Sequence, residues 1–191
     1  MRTVVCFGDS NTWGYVPGSD AERFPRELRW PVRLQRALGD GFEVIAEGLN
    51  GRTAAVESPV EDGRNGATYL LPCLRSHKPV DLVVIYLGTN DVNFLNGDLV
   101  ARSVGRLVKL ARISETGPGG GAPQVLVVCP PPFSGHVLGP SYAEVCGELG
   151  CELLDLAGIA SYTDHDPEHL DAEGNAAVAA AVEERVRGLL P

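Results

Sequence analysis

A serine, a histidine and an aspartate stand in this chain at positions from which they could catalyse acyl transfer. Ser10 follows a short apolar run in the block GDSN at 8–11, and His169 closes the block DPEH at 166–169. A serine hydroxyl becomes a nucleophile when an imidazole takes its proton and a carboxylate orients that imidazole. Ser10 is therefore the candidate nucleophile, His169 the candidate base and Asp166 the candidate orienting acid.

Each of these residues also has an ordinary structural explanation. Ser10 or Asp9 could cap a helix, because both side chains accept hydrogen bonds from backbone N–H groups. Asp166 and His169 could be polar residues that merely precede a helix. Asp171 is the better cap for that helix, which leaves Asp166 for a site.

His165 is a rival for the role of base. The residue three positions before it is Tyr162, whereas Asp166 stands three positions before His169. One turn of a loop could bring Asp166 to the imidazole of His169, and no carboxylate has that spacing to His165.

Donors for an oxyanion are also present in the sequence. The backbone N–H groups of Ser10 and Gly51 and the side-chain amide of Asn90 are the candidates, because glycine permits close approach and an amide donates without charge. The alternatives are a simple turn at Gly51 and a cap or Asx turn at Asn90. Asp91 is expected to brace its loop or to cap a helix.

The elements that must position these groups follow from the hydrophobic pattern. Apolar runs predict strands at 3–8, 42–46, 80–87, 124–129 and 152–156, and amphipathic segments predict helices at 30–39, 67–76, 97–112, 141–150 and 172–190. Strands that alternate with helices predict a three-layer α/β/α sandwich around a parallel sheet. Ser10, Gly51 and Asn90 each follow a predicted strand, so we expect them at one sheet edge.

Two loops complete the pattern. The segment 58–65 is polar and rich in turn residues. The glycine-rich loop at 117–122 formally matches a dinucleotide-binding fingerprint, but it follows a helix and precedes a strand, which is the reverse of the required order. We therefore expect no nucleotide cofactor.

Length and charge limit the function classes. The chain has 191 residues and a formal net charge of −9, which predicts one domain over residues 1–191 and disfavours nucleic acid as a partner. No apolar run reaches the ~20 residues that cross a bilayer, and a strand begins where a signal peptide would need its apolar region. We expect a soluble cytoplasmic protein that does not bind membranes.

Cysteine and histidine spacing indicates the redox state and the metal content. The five cysteines form no C-x-x-C pair and three lie in or beside apolar runs, so buried thiols in a reducing compartment are expected. The four histidines are not spaced with cysteines as zinc ligands usually are. The sequence therefore predicts no metal site.

Four blocks, taken in order, resemble the SGNH (GDSL) hydrolase superfamily. They are GDSN at 8–11, LNGRT at 49–53, GTND at 88–91 and DPEH at 166–169. The resemblance implies a flavodoxin-like five-stranded parallel sheet in the order 2-1-3-4-5 and a serine esterase without cofactor or metal. The α/β-hydrolase family is excluded as an alternative, because its nucleophile motif is G-x-S-x-G and the block at 8–12 lacks the last glycine of that motif.

Within the superfamily the chain is most similar to the small bacterial arylesterase/acyltransferase branch. The resemblance extends over the block 8–14, the pairs at 23–24 and 29–30, and the blocks 47–49, 65–67 and 87–91. It implies that Trp13 lines the site entrance, although Trp13 could also be a core residue. Asp9 and Asn11, beside Ser10, are further pocket candidates. The loop at 134–140 is shorter than in that branch, where it walls the pocket and mediates assembly.

Two functions therefore remain open. One is hydrolysis of short-chain acyl esters through an acyl-enzyme, with acyl transfer to alcohols as a variant. The other is a non-catalytic flavodoxin-like binding or regulatory domain. The expected partner is a small-molecule ester, and the sequence is compatible with a homo-oligomer.

Overall fold

A computed structural model describes residues 1–59 and 61–191 of the chain. Its centre is a parallel sheet of five strands in the order β2-β1-β3-β4-β5. The strands are β1 (Arg2–Gly8), β2 (Phe42–Gly48), β3 (Leu82–Tyr86), β4 (Gln124–Cys129) and β5 (Glu152–Asp155). The predicted fold class and strand order are confirmed.

Helices cover both faces of this sheet. They are α1 (Ser10–Trp13), α2 (Trp30–Leu38), α3 (Gly66–Ser76), α4 (Gly97–Arg112), α5 (Gly139–Leu149) and α6 (Ala172–Leu189). Side chains of α2 and α6 pack on one face and those of α3, α4 and α5 on the other. Strand β1 shows why both faces need covering, because its alternate side chains are buried on opposite faces. Val4 and Cys6 lie in the core under α2 and α6, whereas Val5 and Phe7 lie in the core under α3, α4 and α5.

Several boundaries differ from those predicted. Strand β3 begins at Leu82 and not at Val80, because the Val80 N–H bonds outside the β3 ladder, to the Thr116 carbonyl. Pro72 is expected to start, kink or interrupt the helix predicted at 67–76, but helix α3 contains Pro72 in its interior and continues through it. The glycine-rich loop at 117–122 includes a short 3-10 turn. The predicted polar turn at 58–65 includes Val60, which lies outside the described residues.

The cysteines are free thiols, as predicted. Four of the five are buried, and Cys151 is partly exposed. Within the described part of the chain, no helix has both the length and the apolarity needed to cross a bilayer.

The site edge of the sheet is fixed by register. Gly8, the last residue of β1, pairs with Gly48 of β2 on one side and with Tyr86 of β3 on the other. The loops that leave these three strands therefore begin side by side. Gly48 must be small, because a Cβ there would lie 2.2 Å from the backbone nitrogen of Trp13.

Candidate active site

Helix α1 holds Ser10 at the carboxyl end of β1. Asp9 caps this helix, and its carboxylate accepts a 3.0 Å hydrogen bond from the Asn11 N–H. Gly14 ends the helix with a left-handed φ of 96°. Ser10 is only 6% exposed, so little of the residue meets solvent.

His169 lies between Ser10 and Asp166. Its Nε2 is 3.0 Å from Ser10 Oγ, and its Nδ1 is 2.9 Å from each carboxylate oxygen of Asp166. The side chains of His169 and Asp166 are 16% and 13% exposed. A hydroxyl, an imidazole and a carboxylate in this hydrogen-bonded series have the geometry required for general-base activation of a serine.

Backbone donors hold the Asp166 carboxylate. The Gly18 N–H donates to Oδ2 at 2.9 Å, and the Glu168 N–H donates to Oδ1 at 3.2 Å. Burial by itself would raise the pKa of Asp166, but the hydrogen bonds from Gly18 and His169 outweigh it and lower that pKa. His165, the rival base, is exposed, and its ring packs against Gly18.

The side-chain amide of Asn11 ties the Ser10 loop to the His169 loop. Its Nδ2 donates to the Glu168 carbonyl at 2.9 Å, and its Oδ1 accepts from the Leu170 N–H at 3.0 Å. These two bonds bracket His169 in the sequence. They therefore fix the position of His169 relative to Ser10.

The expectation that Asp9 and Asn11 line a substrate pocket needs correction. Asn11 is 2% exposed and its amide is used in the bonds to the His169 loop. Asp9 is fully buried, and its second oxygen, Oδ2, has no hydrogen-bond partner among the residues that the structure describes. Burial raises the pKa of Asp9 to about 7, although the hydrogen bond from Asn11 lowers it. Asp9 and Asn11 therefore support the loops of the site from the protein interior and do not line a pocket.

Trp13 is neither a core residue nor fully exposed. Its indole ring lies under the guanidinium of Arg23, which is 4.7 Å from the ring centroid. Arg23 Nε also donates to the Trp13 carbonyl at 2.8 Å. The pair joins α1 to the segment that follows it.

The loops after β2 and β3 carry the candidate oxyanion donors. Gly51 has a φ of 71°, a left-handed conformation that favours glycine. The Asn90 side-chain amide donates to the Arg52 carbonyl at 3.1 Å. Gly51 and Asn90 are therefore joined through Arg52, the residue that follows Gly51.

Arg52 is a buried cation that the sequence did not single out. Its Nη1 donates to the carbonyls of Gly8, at 2.9 Å, and Glu47. The guanidinium stacks 4.2 Å from the centroid of the Phe7 ring. Because Gly8 precedes the Ser10 turn, Arg52 holds the Gly51 loop against the end of β1.

Asp91 braces the same region, as predicted. Both of its carboxylate oxygens lie 3.0 Å from the Ala54 N–H, and the residue is fully buried. Burial raises the pKa of Asp91 to about 6, although the hydrogen bond from Ala54 lowers it. Asp91 thus joins the loop after β3 to the chain that follows the Gly51 loop.

Tyr15 contacts His169 directly and was also missed. The two rings are stacked, with centroids 4.1 Å apart and planes 21° apart. The Tyr15 hydroxyl donates to the Ser19 carbonyl at 2.7 Å, which folds the segment 15–19 back on itself. The same segment supplies the Gly18 N–H that holds Asp166.

Comparison with known proteins decides the family. The model of the GDSL-like Lipase/Acylhydrolase family matches residues 6–177. This chain belongs to the GDSL-like lipase/acylhydrolase family. It is accordingly a carboxylic ester hydrolase of the GDSL type. The match begins before Ser10 and ends after His169, so it includes every candidate residue.

Solved structures similar to this GDSL-like hydrolase agree over the whole chain. The native M. smegmatis aryl esterase is 35% identical with a TM-score of 0.93, and the alignment covers 100% of both chains. A carbohydrate acetylesterase family member from Sinorhizobium meliloti is 39% identical with a TM-score of 0.91, covering 100% of this chain and 99% of that one. No curated protein sequence matched in the corresponding comparison.

Proposed function

We propose that this GDSL-like hydrolase cleaves short-chain acyl esters through an acyl-enzyme formed on Ser10. His169 acts as the general acid and base, and Asp166 orients it. The observation that carries the proposal is the unbroken series from Ser10 Oγ to His169 Nε2 at 3.0 Å and from His169 Nδ1 to Asp166 at 2.9 Å.

The reaction has two balanced halves. In the first, His169 Nε2 takes the hydroxyl proton while Ser10 Oγ bonds to the ester carbonyl carbon. The tetrahedral intermediate then expels the alcohol, whose oxygen receives the proton from His169. In the second half, water gives its proton to His169 and attacks the acyl group, and Ser10 leaves with that proton.

The developing oxyanion is stabilised by three donors. We assign them to the backbone N–H groups of Ser10 and Gly51 and to the side-chain amide of Asn90. One N–H of that amide bonds to the Arg52 carbonyl, which orients the other for the substrate. Each donor of this kind typically contributes ~10²–10³ in rate.

Aryl acetates and acetylated sugars are the first substrates to test. The similar structures are an aryl esterase and carbohydrate acetylesterases. Ser10 is 6% exposed, which favours a small acyl group over a long chain. No cofactor or metal enters the proposed steps, and the proposed partner is the small-molecule ester.

The alternatives differ in what they require of the site. An alcohol in place of water in the second half would give acyl transfer from the same intermediate. A binding or regulatory domain would not need a hydroxyl, an imidazole and a carboxylate in hydrogen-bonded series. The geometry therefore favours catalysis over the binding alternative.

The test is hydrolysis of 4-nitrophenyl esters from acetyl to octanoyl by the wild type, Ser10→Ala and His169→Ala. His165→Ala is the matched control, because His165 is the rival for the role of base and is exposed. We expect the highest kcat/KM for the shortest acyl groups and a loss of at least ~10³-fold in the two site variants. Undiminished activity in Ser10→Ala would overturn the proposal. Addition of an alcohol, with product analysis, measures acyl transfer.

A further inference from the structure

A second cluster of chemically active side chains lies away from Ser10, between β2 and α3. It consists of Glu47, Cys73 and His77. The possible ligand atoms are a carboxylate oxygen of Glu47, the sulfur of Cys73 and a ring nitrogen of His77, and these three atoms lie within 4.8 Å of one another. His77 Nε2 and Glu47 Oε1 are already 2.8 Å apart. The proposed esterase reaction uses none of the three.

The fold presents these residues as a convergent set. Cys73 lies in the last turn of α3, and His77 caps the end of that helix four residues later, with its N–H on the Cys73 carbonyl. A spacing of four places two side chains on one face of a helix. Glu47 comes from the end of β2, and the Tyr69 hydroxyl is 3.4 Å from its other oxygen. The sequence did not reveal this cluster because Glu47 is distant in the chain.

We propose that Glu47, Cys73 and His77 bind a divalent transition-metal ion, with Zn²⁺ as the best match. Thiolate, imidazole and carboxylate are the ligand types that zinc prefers, and tetrahedral coordination spaces ligand atoms about 3 to 4 Å apart. The three atoms already lie within 4.8 Å of one another, and His77 Nε2 and Glu47 Oε1, 2.8 Å apart, would have to separate slightly to reach that spacing. This proposal departs from the expectation, drawn from ligand spacing alone, that the chain has no metal site.

The surroundings give access to the cluster from the Glu47 side. Glu47 and Tyr69 line an open groove of about 500 Å³, through which an ion and a water molecule can reach Glu47, whereas Cys73 is fully buried. The side chains of His77 and Glu47 are 28% and 20% exposed. Three protein ligands with one open position are the arrangement of a zinc site that retains water.

The charges near the cluster both favour and oppose a cation. Zinc binds cysteine as its thiolate, so Cys73 and Glu47 would supply two negative charges. The Arg52 guanidinium is near Cys73 and Glu47 and opposes the ion, but two anionic ligands offset a divalent charge.

Cobalt titration tests the proposal without depending on esterase activity. Protein freed of metal by a chelator is titrated with Co²⁺, and Zn²⁺ is then added as competitor. We expect one equivalent of Co²⁺, a thiolate-to-cobalt charge-transfer band in the near ultraviolet, and displacement by Zn²⁺. The controls are Cys151→Ser, which removes the partly exposed thiol, and His165→Gln, which removes an exposed imidazole.

The variants separate binding at this cluster from binding elsewhere. Cys73→Ser should abolish the charge-transfer band, and His77→Gln should weaken Co²⁺ binding at least ~10-fold, whereas both controls should behave as wild type. If Cys73→Ser fails to fold, His77→Gln decides the matter, because His77 is partly exposed at a helix end. A wild type without the band, or a band that survives Cys73→Ser or is lost in Cys151→Ser, would overturn the proposal.

Discussion

The ring of Tyr15 stacks on the imidazole of His169, with centroids 4.1 Å apart. Hydrogen bonds to Ser10 and Asp166 hold the two ring nitrogens of His169. These bonds leave the ring free to tilt out of its plane, and stacking on Tyr15 restrains that motion. Tyr15 is therefore a positioning residue for the proposed base.

Removal of this ring should lower the rate more than the affinity. Tyr15→Ala is expected to reduce kcat about 10- to 100-fold, because small displacements of a catalytic group are costly. Tyr15→Phe keeps the stack and loses the two bonds of the hydroxyl, to the Ser19 carbonyl and from the Ala21 N–H, so it should stay within a few-fold of wild type. Steady-state kinetics on a 4-nitrophenyl ester, with thermal melts of both variants, measure the effect. Equal losses in Tyr15→Ala and Tyr15→Phe would contradict a positioning role for the ring.

Asp166→Asn isolates the role of the carboxylate charge. A thermal melt checks folding, because the Gly18 and Glu168 N–H groups donate to different oxygens of Asp166 and the amide of the substituted side chain can accept only one of these two bonds. The substitution should favour the wrong imidazole tautomer and lower kcat on the order of 10⁴-fold, as in other serine hydrolases. Asp164→Asn, an exposed neighbour, serves as the control. Retention of more than about a tenth of the wild-type kcat would argue against an orienting role.

Asn90→Ala tests the third oxyanion donor. We expect kcat to fall ~10²–10³-fold with little change in KM, because the donor acts on charge that develops in the transition state. Asn90→Asp keeps the shape of the side chain but replaces the donor with a negative charge, and should lose at least as much. The comparison requires kcat and KM for both variants on one ester. Wild-type activity in Asn90→Asp would show that the side chain of Asn90 is not an oxyanion donor.

The buried carboxyl of Asp9 predicts a pH-dependent stability. Its pKa is raised to about 7 in the folded protein but is ~3.9 when unfolded. The folded state therefore binds more protons between these values, so stability falls as the pH rises from about 4 to about 7. Asp91, with a pKa of about 6, contributes with the same sign. Asp166, whose pKa is lowered, contributes stability that is lost only at more acidic pH.

Asp9→Asn should remove its part of this dependence. Relative to wild type, the free energy of unfolding of the variant should rise by about 2 to 3 kcal/mol between about pH 5 and about pH 8. Urea unfolding at the two pH values measures the change, and Asp164→Asn is the exposed control. Parallel pH profiles for wild type and Asp9→Asn would show that Asp9 does not titrate in this range.

The sheet was predictable because its strands are short apolar runs that must be covered on both faces. The run at 124–129 coincides with β4, and the helix predicted at 97–112 coincides with α4. The predicted strand boundaries were wrong where hydrogen bonds to residues outside the sheet, and not the apolar pattern, determine where the strand begins. Val80 is fully buried, yet it lies outside β3 because its N–H bonds to Thr116.

The candidate site was predictable only where a residue lies next to a motif. The structure brings Ser10, Asp166 and His169 together, but proximity to Ser10 in sequence misled the assignment of Asp9, which points into the interior. Asn11 and Arg52 were not recognised as supports because their partners are remote. Asn11 bonds to Leu170, 159 residues away, and no local pattern encodes such a pair.

The separation of Ser10 from His169 also has a consequence in time. The two residues are 159 positions apart, and the amide of Asn11 joins their loops only when both are present. A ribosome adds ~5–20 residues each second, so Ser10 emerges many seconds before the proposed base. On the proposed mechanism, the nascent chain carries an unactivated hydroxyl during that interval, and it gains esterase activity only when the sheet and its last loop have folded.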